Sequence, residues 1–289
     1  MSKDLTVVVT GSNRGIGQGI VQLLAKTQHT SPLNIIATSR GGIDLEIQAP
    51  PPNSVQYAKL DIGDKSSIKS FFSSVKPVDV LINNAGINQN DEEDARKAEQ
   101  VIDVNYRGTR DMCQAFLSAA SPGPETRIVN VSSTSCQLKD YDAAVQQKFH
   151  SVKGVQDVDA LADDYVELVR QGGDAQERAG FGLPPKSYQV SKALINALTV
   201  VLARENPDVA INCCCPGWVN TDMGQQVGRP PKTLEEGARI PVRLAIGELG
   251  SKGDQDGGLG KGESEEKVSG RYFGNDGVSD RGWGRAREW

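Results

Sequence analysis

Several things are missing from this 289-residue chain, and each absence removes a class of function. No apolar run approaches the roughly 20 residues of a membrane span. Met1-Ser2-Lys3-Asp4 leads straight into a β-branched run rather than into a signal peptide. Histidine occurs only at His29 and His150, too far apart in sequence to suggest a zinc site, so no metal is expected. Five cysteines, three of them adjacent (Cys213, Cys214 and Cys215), cannot make an ordinary disulfide framework and point to a reducing, cytoplasmic setting. Lysine and arginine are dispersed and the net charge is −5, which argues against a nucleic-acid partner. No internal repeat is visible.

What is present alternates. Short β-branched runs at 5–9, 34–39, 55–60, 79–82, 127–131 and 209–214 are separated by helix-period segments, among them 64–75, 91–120 and the stripe from Val190 to Leu202 that Pro207 closes. Strands alternating with helices predict a doubly wound parallel α/β sheet with helices on both faces, in one domain over 1–289. A capping box at Thr233 and Glu236 opens a further helix, and Arg271-Tyr272-Phe273 reads as a last short strand. Between 134 and 187 the alternation stops, and two amphipathic patterns (143–149 and 157–170) predict a helical insertion. Residues 247–270 hold eight glycines and nine charges against three apolar side chains, so a flexible surface loop is expected there.

Two stretches carry chemistry. Thr10-Gly11-Ser12-Asn13-Arg14-Gly15-Ile16-Gly17 follows the first strand and opens a helix, the context of a dinucleotide-binding turn. There glycines let the backbone approach a pyrophosphate, which sits on the helix's N–H groups. NAD enzymes usually place an acid after the second strand to hold the ribose 2′-hydroxyl. Between Gly17 and Asp44 this chain has no Asp or Glu; it has Arg14 and Arg40, which suit a 2′-phosphate and hence NADP(H). The second stretch is Ser187-Tyr188-Gln189-Val190-Ser191-Lys192. Tyr188 and Lys192, four apart, share a helix face, and a nearby ammonium favours phenolate, drawing the phenol toward the working pH of a general acid.

These pieces stand in order with Asn83-Asn84-Ala85-Gly86, Val104-Asn105-Tyr106-x-Gly108-Thr109, Val129-Asn130-Val131-Ser132-Ser133 and Cys214-Cys215-Pro216-Gly217-Trp218-Val219-x-Thr221-Asp222-Met223. Together they resemble the short-chain dehydrogenases/reductases, and within that family the monomeric carbonyl reductases that use NADPH. The resemblance implies a Rossmann-type fold and a catalytic set of Asn105, Ser133, Tyr188 and Lys192. Tyr188 would protonate the carbonyl oxygen and Ser133 would hydrogen-bond it. Lys192 would bind the nicotinamide ribose and depress the Tyr188 pKa, and Asn105 would hold a relay water. Of the adjacent serines, Ser133 is chosen by the family pattern. Cofactor contacts are implied at Gly11, Asn13, Arg14, Gly15, Ile16 and Gly17; at Arg40, Asp61 and Ile62; at Asn84, Ala85 and Gly86; and at Pro216, Gly217, Val219 and Thr221, besides Tyr188 and Lys192. Trp218 and Met223 would lie on the substrate side.

The expected activity is NADPH-dependent reduction of ketones, aldehydes or quinones. An alcohol dehydrogenase of a specific metabolite, and a sensor that binds NADP(H) without turnover, are the alternatives. The expected partner is a small carbonyl substrate, with no membrane or nucleic acid. The apolar faces of the insertion, Val145 and Phe149 in one segment and Val158, Leu161, Tyr165 and Leu168 in the other, predict a monomer by masking the helix flank on which shorter family members associate. Cys113, Cys213 and Cys215 read as buried small side chains, and Cys136 or Cys214 as candidates to border the pocket.

Overall fold

The computed structural model describes residues 4–289 except 76, 90–93, 121, 124, 173, 248 and 250–267. The chain opens with β1 (Leu5–Thr10), α1 (Gly15–Lys26), β2 (Leu33–Ser39), β3 (Ser54–Lys59), α2 (Lys65–Ser74) and β4 (Val80–Asn83). Next come α3 (Ala95–Ile102), a π-helical turn (Asp103–Gly108), α4 (Thr109–Ala119) and β5 (Arg127–Val131). Helices α5 (Ala143–His150), α6 (Val155–Gln171) and the single turn α7 (Ala175–Arg178) lead to α8 (Ser187–Glu205). The remainder is β6 (Ala210–Cys214), the short α9 (Asp222–Gln225), α10 (Leu234–Ile246), β7 (Tyr272–Gly274) and β8 (Arg285–Arg287).

The strands form one sheet in the order β3-β2-β1-β4-β5-β6-β7-β8. All pairs from β3 to β7 are parallel. The doubly wound parallel sheet is as expected, and at its edge β8 pairs antiparallel with β7. Arg285-Ala286-Arg287 has no strand-like side-chain pattern; its backbone simply completes the hydrogen bonds of β7 at the sheet edge.

β1 is buried along its whole length because helices cover both faces, so it reads as an apolar run rather than an alternation. Its successive side chains still part to opposite sides. Val8 joins Leu81, Ile128 and Ile211 under α2, α4 and α8, whereas Val7 and Val9 join Ile35, Val80 and Val129 under α1 and α10. Helix ends are set locally. Asp64 Oδ1 accepts from Ser66 N at 2.8 Å to start α2, and Asp94 Oδ1 accepts from Lys97 N at 2.7 Å to start α3. Thr233 and Glu236 make the reciprocal pair expected at the start of α10; such caps contribute about 1 kcal/mol each.

α8 is buried almost all round, polar Asn196 and Thr199 included. The cause is α6, which lies against α3 and α8 with Val158, Leu161 and Tyr165 buried and Leu168 packed on the same core. Within the stretch expected to be a flexible loop, 250–267 lie outside the described residues, but its ends are fixed. Gly247 N donates to Arg243 O, and Gly270 N to Ile211 O at 2.7 Å, so 268–270 run along β6.

Candidate active site

Where the strand order turns back between β1 and β4, their C-terminal ends open a crevice, the position at which doubly wound sheets bind ligands. The two turns that form it are tied together. Thr10 Oγ1 accepts from Asn84 N and Ala85 N at 3.0 Å each, and Asn84 Nδ2 donates to Thr10 O and Gly11 O. Gly17 sits beneath this knot, where a Cβ would stand 2.2 Å from Gly11 O and 2.5 Å from Asn84 Nδ2. Gly11 has φ +65°, and a Cβ there would press on the Ala85 backbone at 2.8 Å. No side chain caps α1, so its N-terminal N–H groups suit an anion such as pyrophosphate.

From this knot a cleft of about 1060 Å³ runs along the strand ends. On the β2–β3 side Arg40, Asp61 and Ile62 line it; in the middle stand Asn13, Arg14, Gly15 and Ile16, faced by Ala85 and Gly86. On the β5–β6 side it is lined by Ser133, Tyr188 and Lys192, and by Pro216, Gly217, Val219 and Thr221, with Trp218 and Met223 toward solvent. Gly17 and Asn105 are the two expected site residues that do not line it. Gly17 is under the turn and Asn105 is fully buried behind Gly86.

Ser133 lies close enough to the Tyr188 phenol to favour its ionised form, and its hydroxyl meets Ser135 Oγ at 2.8 Å. Ser132 turns the other way, its hydroxyl 3.3 Å from Lys192 O and beside Cys136, so it acts in the frame. Lys192 Nζ donates to Val131 O at 2.9 Å and lies 5.6 Å from the centre of the Tyr188 ring. Burial pulls its pKa down to about 8. Burial also pushes the Tyr188 phenol up, with nearby Cys215 adding to the rise and Ser133 opposing it. Desolvation is the largest influence on the phenol here, and Lys192, which sits over the ring and donates to Val131 O, is not among the groups that move it.

Asn105 lies in the π-helical turn, a feature that recurs at functional sites. Its amide reads the backbone of Ile87 at both ends, accepting from Ile87 N at 2.8 Å and donating to Ile87 O at 2.9 Å. It also donates to Ser191 Oγ at 3.0 Å, and Ser191 in turn donates to Tyr188 O at 2.7 Å. A Cβ on Gly86 would be 3.1 Å from Asn105 Oδ1 and 3.6 Å from Lys192 Nζ, so the missing side chain leaves a small polar space between them.

On the β6 side Trp218 is held by its indole N–H, which donates to Gly224 O at 2.8 Å. Lys232, only 1% exposed, runs beneath this loop and donates to Pro216 O at 2.7 Å. Burial lowers its pKa. The cysteine expectation is corrected: Cys136 and Cys214 are fully buried in the core, and Cys215 is the one on the cleft wall. It stands one residue past the end of β6, where the crevice begins, a positional signal the sequence carried. Lys232 and Ile87 carried no such signal; Ser191 lay inside the Tyr188–Lys192 stretch.

A profile of the family described as short chain dehydrogenase matches residues 5–145. The carbonyl reductase (NADPH) 1 of Mus musculus is 33% identical over 83% of this chain and 90% of its own length. The (+)-neomenthol dehydrogenase of Arabidopsis thaliana is 31% identical, again over 83% and 90%. Among solved structures, an NADPH-bound carbonyl reductase from chicken fatty liver superposes with a TM-score of 0.62 at 25% identity, covering 100% of this chain and 96% of that one.

Proposed function

The chain belongs to the short-chain dehydrogenase/reductase family, and from that premise we propose that it reduces ketones, aldehydes or quinones to alcohols with NADPH. The observation that carries this reading is the placing of Ser133, Tyr188 and Lys192 on one side of a cleft whose middle bears Arg14 and whose other side bears Arg40. NADP(H) is the cofactor named in the carbonyl reductase relatives, and the residues present fit it. The uncapped start of α1 suits the pyrophosphate, and the two guanidiniums suit the 2′-phosphate.

When bound, the nicotinamide supplies the hydride. The protein's own work is to hold and protonate the carbonyl oxygen. Tyr188, its phenol kept protonated at neutral pH by burial, gives the oxygen its proton, and Ser133 donates a hydrogen bond to the same oxygen as charge develops. Lys192 would hold the ribose hydroxyls with the hydrogens of its ammonium that Val131 O does not take. Asn105 and Lys192 hold a relay water in the space at Gly86, through which Tyr188 recovers its proton. Trp218 and Met223 form the apolar wall against the substrate.

The name of the neomenthol dehydrogenase relative favours a second reading, oxidation of an alcohol. That direction needs Tyr188 as phenolate, which its burial opposes near neutral pH. A monomer is supported by α6, which occupies the flank of α3 and α8. A cytoplasmic setting is supported by five buried cysteines, all free. Among the described residues no helix is long and apolar enough to cross a membrane. The test is NADPH consumption against a panel of ketones, aldehydes and quinones, with Tyr188→Phe as the control. Turnover of none of them, or equal turnover by the variant, defeats the reading.

A further inference from the structure

Arg14 immediately precedes α1 and Asp222 is the first residue of α9, and their side chains meet across the cleft, Nη1 to Oδ2 at 2.8 Å. Behind the pair the two loops touch, since a Cβ on Gly15 would stand 3.3 Å from Thr221 Cγ2. Asp222 is not there to cap α9; Thr221 does that, accepting from Gly224 N at 3.0 Å. Nor is it there for packing, because its side chain is 79% exposed and that of Arg14 is 70% exposed. Among the described residues neither has a second ion-pair partner.

Arg14 is also one of the two guanidiniums assigned above to the cofactor's 2′-phosphate, and the inference rests on that reading. A guanidinium drawn to one anion is less available to another, and a carboxylate left beside a phosphate repels it. We infer that Asp222 sets cofactor specificity by competing with the 2′-phosphate for Arg14. Its charge weakens the binding of NADPH and leaves that of NADH unchanged, so the protein's preference for NADPH is held below what Arg14 and Arg40 alone would produce. Specificity is a difference of affinities, and here a repulsive element lies within the recognition site itself. Both side chains are solvated, so the effect is the size seen for exposed pairs, about two- to fivefold, and salt screens it.

The experiment measures Kd for NADPH and for NADH by calorimetric titration, without substrate, in the wild type, Asp222→Asn, Arg14→Met and the double variant. Asp222→Asn should tighten NADPH about two- to fivefold and leave NADH unchanged. The gain should vanish in the Arg14→Met background and shrink as salt is raised. Equal tightening of both cofactors would mean a steric latch and would overturn the inference. So would an NADPH preference that Asp222→Asn leaves untouched, while the NADPH reading itself would stand. Equal Kd values for the two cofactors in the wild type would remove that reading and the inference with it.

Discussion

Ser133 opens the 3₁₀ turn after β5, Tyr188 lies in the first turn of α8, and the Ser133 hydroxyl is close enough to the phenol to lower its pKa. Burial raises the phenol's pKa and the Ser133 hydroxyl acts against it, so Tyr188 is a neutral donor with a second donor beside it. A carbonyl oxygen arriving between them would meet both hydrogens without displacing a charge.

The first consequence concerns proton supply. Tyr188→Phe keeps the ring in its partly buried seat on the cleft wall and removes the hydroxyl. Reduction should fall by about 10²–10⁴-fold while NADPH binding, followed by titration, is retained. Ser133→Ala should lose about 10²-fold. A Tyr188→Phe protein within tenfold of wild-type turnover would show that the proton comes from elsewhere.

Arg40, at the end of β2, should matter to one cofactor only. Arg40→Ala should weaken NADPH binding by about 1.5–3 kcal/mol, the range for hydrogen bonds to charged groups, and leave NADH alone. A parallel loss for both cofactors would place Arg40 on the adenosine rather than on the phosphate.

Gly17→Ala tests the knot of turns. Its Cβ would stand 2.2 Å from Gly11 O, and backbone cannot yield as a flexible side chain does. Overpacking of this kind costs about 1–3 kcal/mol. A lowered melting temperature together with loss of NADPH binding is expected; an unchanged Kd would mean that the turn is not the cofactor's seat.

Lys192 links the site to pH. A lysine whose folded pKa lies below its unfolded value destabilises the fold while charged, and the penalty fades as pH rises from the folded value to the unfolded one. For Lys192 that window is about 8 to 10.5. Without cofactor, Lys192→Met should therefore melt above wild type below pH 8, by on the order of 3 kcal/mol in stability. The margin should narrow toward pH 10.5. A margin that stays flat with pH would show that Lys192 carries no such penalty.

Oligomeric state is checked by sedimentation at micromolar concentration. With α6 seated on α3 and α8, a species of 31.0 kDa is expected. A stable dimer or tetramer would require another surface, or the displacement of α6.

Most strands were legible because a buried parallel strand is a continuous apolar run, and the glycine turn because its conformational demands fall on single residues. β8 was not legible: exposed Arg285 and Arg287 do not resemble a strand, and the pairing comes from β7. The Ser132–Ser133 choice could not be made from sequence by chemistry, since both are serines at a strand end. In three dimensions one hydroxyl approaches Lys192 O and the other lies close to Tyr188. The burial effect at Tyr188 is illegible for a related reason. Spacing on a helix shows that Lys192 is near, but how deeply the phenol is buried depends on elements distant in sequence.

The π-helical turn at Asp103–Gly108 has a bearing on how this chain can change length. Such a turn accommodates one residue more than an α-helix would, and each residue of an α-helix turns the chain by about 100°. It therefore takes up one residue between α3, whose buried face meets α6, and α4, whose buried face meets the sheet side, without turning one face against the other. Losing one residue here would let an unbroken α-helix form, at little expense to hydrogen bonding. The two faces would keep their phase, because the extra residue is held within the turn, and only the residues of the turn, Asn105 among them, would be re-aimed, away from Ile87 and Ser191. A deletion that secondary structure tolerates would thus be silent in a circular dichroism spectrum and fatal to the proton path.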